Sequence, residues 1–180
     1  MNINTFNFVA HPVTFSVCLL IFRIALGSMI ASHGFNKIFG GGKIAGTAGW
    51  FESIGVRPGK ANAWAAALTE IGSGVLLILG FLTPLACAGV ISLRVVAIVT
   101  VHAKNGYFIF NANGGGIEYC LFIALVALGL GGLGAGQISI DHSAVFGTWN
   151  PRAGLAIAGI VGVGGALLQL AACYRPSKAS

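Results

Sequence analysis

Five apolar segments constrain this chain more than any other feature, because each has the length of a transmembrane helix. A helix rises about 1.5 Å per residue, so about 20 apolar residues cross the hydrocarbon layer of a bilayer. Only 8% of the 180 residues are charged, against about 25% in a typical soluble domain, and the mean hydropathy is +0.89. The segments are residues 13–35, 63–82, 85–102, 117–133 and 153–173.

The segments predict an all-α integral membrane protein. We expect residues 1–142 to form a four-helix membrane bundle, and residues 143–180 to supply a connection, a fifth transmembrane helix and a short basic tail. An outer-membrane β-barrel is disfavoured, because the apolar runs are continuous rather than alternating. The link Thr83-Pro84 is so short that the second and third spans are predicted to be antiparallel neighbours.

Two further segments have a predicted structural role. The connection at residues 37–62 carries Trp50 beside other apolar residues, which indicates a short amphipathic helix at the membrane interface. In the fifth segment, Gly154, Ala158 and Gly162 recur at four-residue spacing. Small residues at this spacing let helices approach closely, so this face is predicted to pack against another helix.

The net charge of +6 does not indicate nucleic-acid binding, because no basic stripe with interleaved aromatic residues is present. The positions of the basic residues instead predict the topology. Basic residues favour the cytoplasmic side of a membrane. We therefore predict an external N-terminus and a cytoplasmic C-terminus. The cytoplasmic side then carries Lys37, Lys43, Arg57, Lys60, Lys104, Arg175 and Lys178, and the outer side only Arg152.

Three ionisable residues, Arg23, Glu70 and Arg94, lie deep inside the predicted spans. A charge at this depth costs about 2.5–3.5 kcal/mol on insertion scales, and such residues usually face a bundle interior or a cavity. Counted from the ends of the predicted spans, all three lie about 12–15 Å below the same membrane face. We expect a Glu–Arg ion pair, with the surplus arginine available for ligand oxygens. The alternative is that the charges only tie three helices together.

A second polar layer is predicted nearer the same face. It consists of His33, Asn36, Lys37, His102, Asn105 and Glu118. Together the two layers indicate a polar funnel that opens at one membrane face. No catalytic residue is assigned, but Glu70 and Glu118 are candidate proton-exchanging groups; Glu118 has the alternative role of complementing its helix dipole. The candidate ligand-binding residues are Arg23, Glu70, Arg94, His33, His102 and Glu118.

No metal site and no electron-carrying cofactor motif is predicted. The four cysteines are scattered singly, and the four histidines lack metal-ligand spacing. A haem held by His33 and His102 is disfavoured, because no second histidine pair supports it. The run Gly114-Gly115-Gly116 is not followed by Lys and Ser or Thr, so it is not a P-loop.

Short motifs in a fixed order carry a family resemblance. They are Arg23-x-x-x-Gly27 and His33-Gly34-x-x-Lys37 in the first span, Phe51 and Gly55 in the connection, Glu70 with Gly74 and Leu79-Gly80 in the second span, then Asn105-Gly106, Gly115-Gly116-x-Glu118-Tyr119 and Gly134-x-Gly136-x-x-Ser139-x-Asp141. Over about residues 15–142 the chain resembles the DoxX-like family of small bacterial membrane proteins, which includes the DoxD-type subunit of thiosulfate:quinone oxidoreductase. It departs from that family in the added segment 153–173.

The resemblance implies a multi-pass protein of the bacterial cytoplasmic membrane, and it implies a functional context. Members are associated with quinone-linked oxidation and with membrane redox or detoxification complexes. The leading hypothesis is a small membrane subunit of an oxidoreductase complex, with a quinone or small anionic ligand at the Arg/Glu site. The expected partners are the lipid bilayer and other membrane subunits, one of which supplies electrons. Two alternatives stay open: a non-catalytic anchor or assembly subunit that docks through the fifth helix, and a transporter of a small anion.

Overall fold

The fold is all-α, as predicted from the sequence. The structure is a computed structural model that describes residues 12–111, 114–143 and 149–176. Within those ranges the named elements are all helices, and we number them in chain order. They are α1 (Pro12–Phe39), α2 (Lys43–Ser53), α3 (Gly59–Leu79), α4 (Thr83–Asn105), α5 (Glu118–Leu133), α6 (Ile140–Ser143) and α7 (Pro151–Cys173).

The predicted membrane spans correspond to five of these helices. Helices α1, α3, α4 and α7 are long and apolar enough to cross a membrane, and α5 is a shorter apolar helix of 16 residues. The chain in between forms α2, which confirms the helix predicted in the first connection. Helix α4 ends in a π-helical turn over Ile98–His102 and a 3-10 turn over Ala103–Asn105.

The four-helix core is built from consecutive neighbours. Helix α1 packs against α3, α3 against α4, and α4 against α5, whereas α1 and α5 make little direct contact. The turn between α3 and α4 places Gly80 and Leu82 in the left-handed region, so the chain reverses within a few residues. This confirms that the second and third spans are antiparallel neighbours.

The interface between α1 and α3 depends on glycine. A Cβ atom at Gly27 would lie 2.6 Å from the carbonyl oxygen of Gly74, and one at Gly34 would lie 2.7 Å from that of Ala67. Both distances are shorter than van der Waals contact, so any side chain there would push the helices apart. Close backbone approach is the usual way in which apolar helices gain packing energy inside a bilayer.

Helix α7 packs on the outside of the bundle, against α4 and α5. Its predicted close-packing face is confirmed: Gly154 lies against the backbone of Gly131, and Gly162 against Ile91. That face is therefore occupied within the chain. The anchor alternative expected a glycine-rich docking surface on this helix, but only the residues on its remaining faces are free for a partner.

We name the two ends of the bundle after the short helices α2 and α6 that lie there. The α2 end holds α2 and the C-terminal ends of α1, α4 and α7; the α6 end holds α6 and the N-terminal ends of the same three helices. At the α2 end, the N–H of Arg57 donates to the carbonyl of Cys173 at 2.8 Å, and the N–H of Arg175 donates to that of Gly55 at 2.7 Å. These bonds hold the end of α7 against the chain segment between α2 and α3. Lys178, counted in the predicted topology, lies outside the described residues.

Candidate functional site

Glu70 on α3 is the centre of a buried charge cluster. Only 3% of this residue is exposed. Its Oε1 accepts a hydrogen bond from Nη2 of Arg94 at 3.3 Å, which confirms the predicted Glu–Arg ion pair. Its Oε2 accepts from Nζ of Lys37 at 2.5 Å. One carboxylate is therefore paired with two cations, one from α1 and one from α4.

The depth of this cluster follows from helix length. Glu70 lies about 17 Å from the start of α3, and Arg94 lies about 17 Å from the end of α4, at 1.5 Å per residue. Lys37 sits two residues before the end of α1 at Phe39, and its long side chain reaches down to Glu70. The apolar part of a lysine side chain is suited to cross such a region.

The prediction that Arg23 shares this level is wrong. Arg23 lies 16 residues before the end of α1 at Phe39, so it is about 24 Å from the α2 end, whereas Glu70 and Arg94 are about 17 Å from it. It is 0% exposed. Its guanidinium donates to the carbonyls of Leu77 at 3.1 Å and Ile78 at 3.3 Å, and to that of Ile138 at 2.5 Å.

Asp141 is the second buried charge at the α6 end, and with Arg23 it forms what we call the Arg23–Asp141 cluster. Its carboxylate accepts from the backbone N–H groups of Leu82 at 2.8 Å and Thr83 at 3.0 Å. It therefore caps the start of α4, where backbone N–H groups lack helical partners and the helix dipole favours a negative charge. Between the two charges lies Gly80, where a Cβ atom would collide with the Arg23 guanidinium. The hydrogen bonds of this cluster connect α1, α3, the start of α4 and the chain around α6 at this end of the bundle.

A cavity of about 160 Å³ adjoins the Glu70 charge cluster, and we call it the Glu70 pocket. Five elements line it: α1, α2, α3, α4 and α7 contribute side chains, together with the chain between α2 and α3. Its polar lining residues are His33, Lys37, Glu70, Arg94, Thr100, His102 and Gln169. Its aromatic and aliphatic lining residues are Trp50, Phe51, Ile54, Val56, Ala66, Leu93, Val96, Ala97 and Val101. A polar site inside an apolar wall is the usual form of a small-molecule pocket.

The π-helical turn of α4 presents part of this lining. Thr100, Val101 and His102 all lie within or at the end of that turn. π-Helical turns are rare and occur frequently at functional sites. Nδ1 of His102 lies 2.6 Å from the carbonyl oxygen of Gly115. Because a carbonyl only accepts, Nδ1 is the donor in this contact. In the neutral tautomer that donates from Nδ1, Nε2 is an acceptor.

The remaining residues of the predicted polar funnel lie elsewhere. Glu118 accepts a hydrogen bond from the N–H of Ile109 at 3.1 Å and lines a separate groove on α5. Asn36 and Asn105 do not line the Glu70 pocket. The prediction that Glu118 lies in the same polar funnel as Glu70 is therefore wrong. Its position in the first turn of α5 matches the alternative role, which is to complement the helix dipole.

The pocket also includes Gln169 and Trp50, neither of which is predicted from the sequence to belong to a binding site. Gln169 is the only polar residue of the fifth apolar segment, and its Nε2 donates to Oδ1 of Asn62 on α3 at 3.1 Å. Trp50 was assigned to the membrane interface but also lines the pocket. An isolated amide in an apolar segment is a usable signal, because it requires a hydrogen-bond partner. The sequence does not say which helix supplies that partner.

The pocket has one surplus positive charge, because Lys37 and Arg94 are two cations and Glu70 is a single carboxylate. Like Arg23, Arg94 has a buried Nε with no hydrogen-bond partner within the described part of the chain. These groups suit a ligand that presents carbonyl or carboxylate oxygens. Among the described residues, no group of three or more His, Cys, Asp or Glu side chains is arranged to hold a metal ion.

Comparison with known proteins supports the resemblance seen in the sequence. Residues 18–103 match the family model of DoxX, a membrane family, and this range lies within α1–α4. Searches of curated proteins and of solved structures found no significant match. The matched range contains Lys37, Glu70 and Arg94, whereas α5, α6 and α7 lie beyond it.

Proposed function

With a multi-pass membrane bundle and a DoxX match over residues 18–103 as premises, we propose that this chain is a small membrane subunit of an oxidoreductase complex. In this proposal the Glu70 pocket binds a quinone or a small anionic ligand. The observation that carries it is the pairing of two cations, Lys37 and Arg94, with one buried carboxylate beside a cavity. The surplus charge suits ligand oxygens.

The size of the pocket supports a ring-shaped ligand. An apolar cavity of about 150 Å³ is large enough to hold benzene. The Glu70 pocket is of similar volume, about 160 Å³, and carries the aromatic rings of Trp50 and Phe51 in its wall. A quinone carbonyl oxygen would accept from the Arg94 guanidinium or the Lys37 ammonium. The free Nε2 of His102 would accept from a hydroxyl of the reduced form.

The same residues support proton exchange. Reduction of a quinone to a quinol takes up two electrons and two protons and forms two O–H bonds. In our proposal a partner subunit supplies the electrons, and the chain supplies the binding site and a proton route. Lys37 is the natural link to water, because its side chain is 20% exposed while it contacts Glu70. Glu70 and Lys37 would then relay protons to the ligand.

The distribution of exposed basic residues supports an orientation. At the α2 end, Lys43, Arg57, Lys60, Lys104 and Arg175 are all exposed, whereas Arg152 is the basic residue at the start of α7. Basic residues in short connections favour the cytoplasmic side. We therefore place the α2 end, which is the end nearer the Glu70 pocket, at the cytoplasmic face of a bacterial inner membrane.

A binding experiment tests the proposed function. The full chain, purified in a mild detergent, is titrated with a tail-free benzoquinone and separately with benzoate, and quenching of tryptophan fluorescence gives each Kd. We expect one of the two rings to bind, and Arg94→Gln to weaken its binding about tenfold or more, because a hydrogen bond to a charged group contributes about 1.5–3 kcal/mol. The matched control is Arg152→Gln, which changes an exposed arginine at the α6 end.

The outcomes separate the two ligand classes. Binding of the benzoquinone alone assigns a neutral carbonyl ligand, and binding of benzoate alone assigns an anion. If neither ring binds, or if Arg94→Gln and Arg152→Gln bind as the unchanged protein does, the proposed function is wrong. Organic extraction of the purified protein, followed by mass spectrometry, then identifies the ligand that the cell supplies.

A further inference from the structure

A long apolar groove runs along the outside of the bundle between α1 and α5. It has a volume of about 250 Å³, and its lining side chains are apolar apart from one tyrosine hydroxyl. The residues are Phe22, Ala25, Leu26 and Met29 of α1 and Tyr119, Phe122, Ile123 and Val126 of α5. The groove exists because α1 and α5 make little direct contact, although both pack into the same bundle. We call it the α1–α5 groove.

This groove and the Glu70 pocket have no lining residue in common, but one side-chain contact lies between them. The hydroxyl of Tyr119, at the end of the groove, lies 3.3 Å from the sulfur of Met29 and 3.5 Å from Nε2 of His33. His33 also lines the Glu70 pocket. The polar pocket and the apolar groove are therefore adjacent, with the side chains of His33 and Tyr119 between them.

One face of α1 lines both spaces. Leu26, Met29, His33 and Lys37 follow one another at intervals of three or four residues, which places them on the same side of a helix. Leu26 and Met29 line the groove, whereas His33 and Lys37 line the pocket. Along this single face, the surface thus changes from apolar to basic within three helical turns.

We propose that the α1–α5 groove holds an apolar chain covalently attached to the ring that occupies the Glu70 pocket. This inference rests on the proposed function and specifies its ligand as an amphiphile with a small polar head and a hydrocarbon tail. The polar head would lie at Lys37 and Arg94. The tail would leave past His33 and Tyr119 and run along Met29, Leu26 and Phe22.

The depth of the pocket distinguishes this occupant from an ordinary phospholipid. A phospholipid places its charged headgroup at the membrane surface, whereas Glu70 lies about 17 Å inside the bundle from the α2 end. A small ring that carries one chain can sit at that depth. The stretch of α1 from Met29 to Phe22 is about 10 Å long, so a tail of moderate length would bury most of its surface there.

The test compares two probes that differ only in the tail. They are 2,3-dimethoxy-5-methyl-1,4-benzoquinone and its 6-decyl homologue, each titrated into the full-length chain in one detergent. We expect the decyl compound to bind the unchanged protein about tenfold or more tightly, because each buried methylene group adds to the affinity. Ala25→Trp, which fills the groove from an exposed position, should remove most of this advantage and leave the Kd of the tail-free ring unchanged.

A matched control excludes a general effect of an added tryptophan. Ile21→Trp places the same side chain on α1 at a residue that is 60% exposed and does not line the groove. It should preserve the advantage of the decyl compound. Partition of a probe into detergent is the same for all variants and cancels between them. To compare the two probes with each other, each Kd is calculated from the free concentration of the probe outside the micelles. Val126→Phe fills the groove from α5 and replaces Ala25→Trp if that variant does not fold.

The outcomes are separable from those of the proposed function. Loss of the advantage in Ala25→Trp or Val126→Phe, but not in Ile21→Trp, supports the inference. If the ring binds but the decyl compound gains nothing, or gains equally in every variant, the groove holds only bilayer lipid and the inference is wrong while the proposed function stands. If neither probe binds the unchanged protein, the quinone form of the proposed function and this inference both fail.

Discussion

Both ends of this bundle bury charged side chains, but the two sites satisfy those charges differently. At the α6 end, Arg23 donates to three backbone carbonyls, and Asp141 accepts from two backbone N–H groups. At the other end, the Glu70 carboxylate is bonded to the side chains of Lys37 and Arg94 and adjoins a cavity. The first site is bonded to the fold itself, and the second to groups that are able to move.

This difference separates a structural charge from a candidate ligand site. Backbone groups are fixed by the helices that contain them, so a ligand cannot take the place of those bonded to Arg23 without disrupting the fold. Side chains can rotate, so a ligand oxygen can replace Glu70 as the partner of Arg94 or Lys37. Burial of a charge therefore does not identify a binding site in a membrane bundle. The identity of the partner group distinguishes the two sites and makes the Glu70 site the candidate.

The largest expected effect is the loss of stability in Arg23→Leu. This change removes the side-chain donor of three backbone carbonyls, of which, among the described residues, only that of Leu77 keeps another donor, the N–H of Gly80 at 3.1 Å. It also removes a positive charge that interacts with Asp141. We expect the free energy of unfolding to fall by about 3 kcal/mol or more, because hydrogen bonds to charged groups each contribute about 1.5–3 kcal/mol. Denaturant titration in detergent, followed by circular dichroism, measures the change.

The control for that variant is Arg23→Lys, which keeps the charge but not the planar fork of donors. It should recover part of the stability lost in Arg23→Leu. Ligand binding by the fraction that remains folded should be unchanged, because the Glu70 pocket is at the other end. An Arg23→Leu variant as stable as the unchanged protein would show that the Arg23–Asp141 cluster is not what closes the α6 end.

An intermediate effect is expected for Glu70→Gln. The substitution leaves Lys37 and Arg94 without a negative charge between them, but Lys37 is 20% exposed at its side chain and can turn toward water. Arg94 stays buried, and an unpaired buried charge costs about 3–5 kcal/mol, but the amide oxygen of Gln can still accept a hydrogen bond from Arg94. We therefore expect a smaller loss of stability than for Arg23→Leu, about 2 kcal/mol. The same unfolding titration measures it.

The double variant sharpens this expectation. If Lys37 contributes to stability only through its ion pair with Glu70, the double variant Lys37→Met/Glu70→Gln should lose less free energy of unfolding than the sum of the two single variants. Glu70→Gln also separates the ligand classes: removing its negative charge should strengthen binding of benzoate and weaken or leave unchanged that of a neutral quinone. A loss of stability as large as that of Arg23→Leu would remove the distinction between the two ends.

The sequence was sufficient for the helices and for one ion pair, because both depend on local quantities. Apolar length predicts a span, and the depth of a residue follows from its distance to the helix end. For Glu70 and Arg94 the errors in the predicted helix ends were similar, so their relative depth was correct. The predicted end of α1 was wrong by a similar amount, but Arg23 already lay about 12 residues from that predicted end, against about 7 and 8 residues for Glu70 and Arg94. The predicted three-way cluster therefore failed.

The Arg23–Asp141 cluster could not be predicted from the sequence for a further reason. Its bonds join side chains to backbone carbonyls and N–H groups that are distant in sequence, as in the contact of Arg23 with Ile138. Every residue has such backbone groups, so no side-chain pattern marks which of them will be used. Asp141 was seen within a family motif, but its capping role appears only once α6 is placed beside the start of α4.

The smallest expected effect concerns the hydrogen bond that joins α7 to the pocket. Nε2 of Gln169 donates to Oδ1 of Asn62, while Nδ2 of Asn62 donates to the carbonyl of Pro58 at 2.9 Å. Gln169→Leu removes only the first of these bonds, so we expect a loss of about 1 kcal/mol in the free energy of unfolding. Leu168→Ala, at an adjacent residue that is 74% exposed, should lose less.

Ligand binding makes the Gln169 variant informative despite its small effect on stability. Gln169 lines the Glu70 pocket, whereas it makes no contact with the Arg23–Asp141 cluster among the hydrogen bonds of the described residues. We therefore expect Gln169→Leu to change the Kd of the bound ring while Leu168→Ala does not. If both variants bind the ring as the unchanged protein does, α7 supports the bundle without shaping the site, and the pocket belongs to α1–α4 alone.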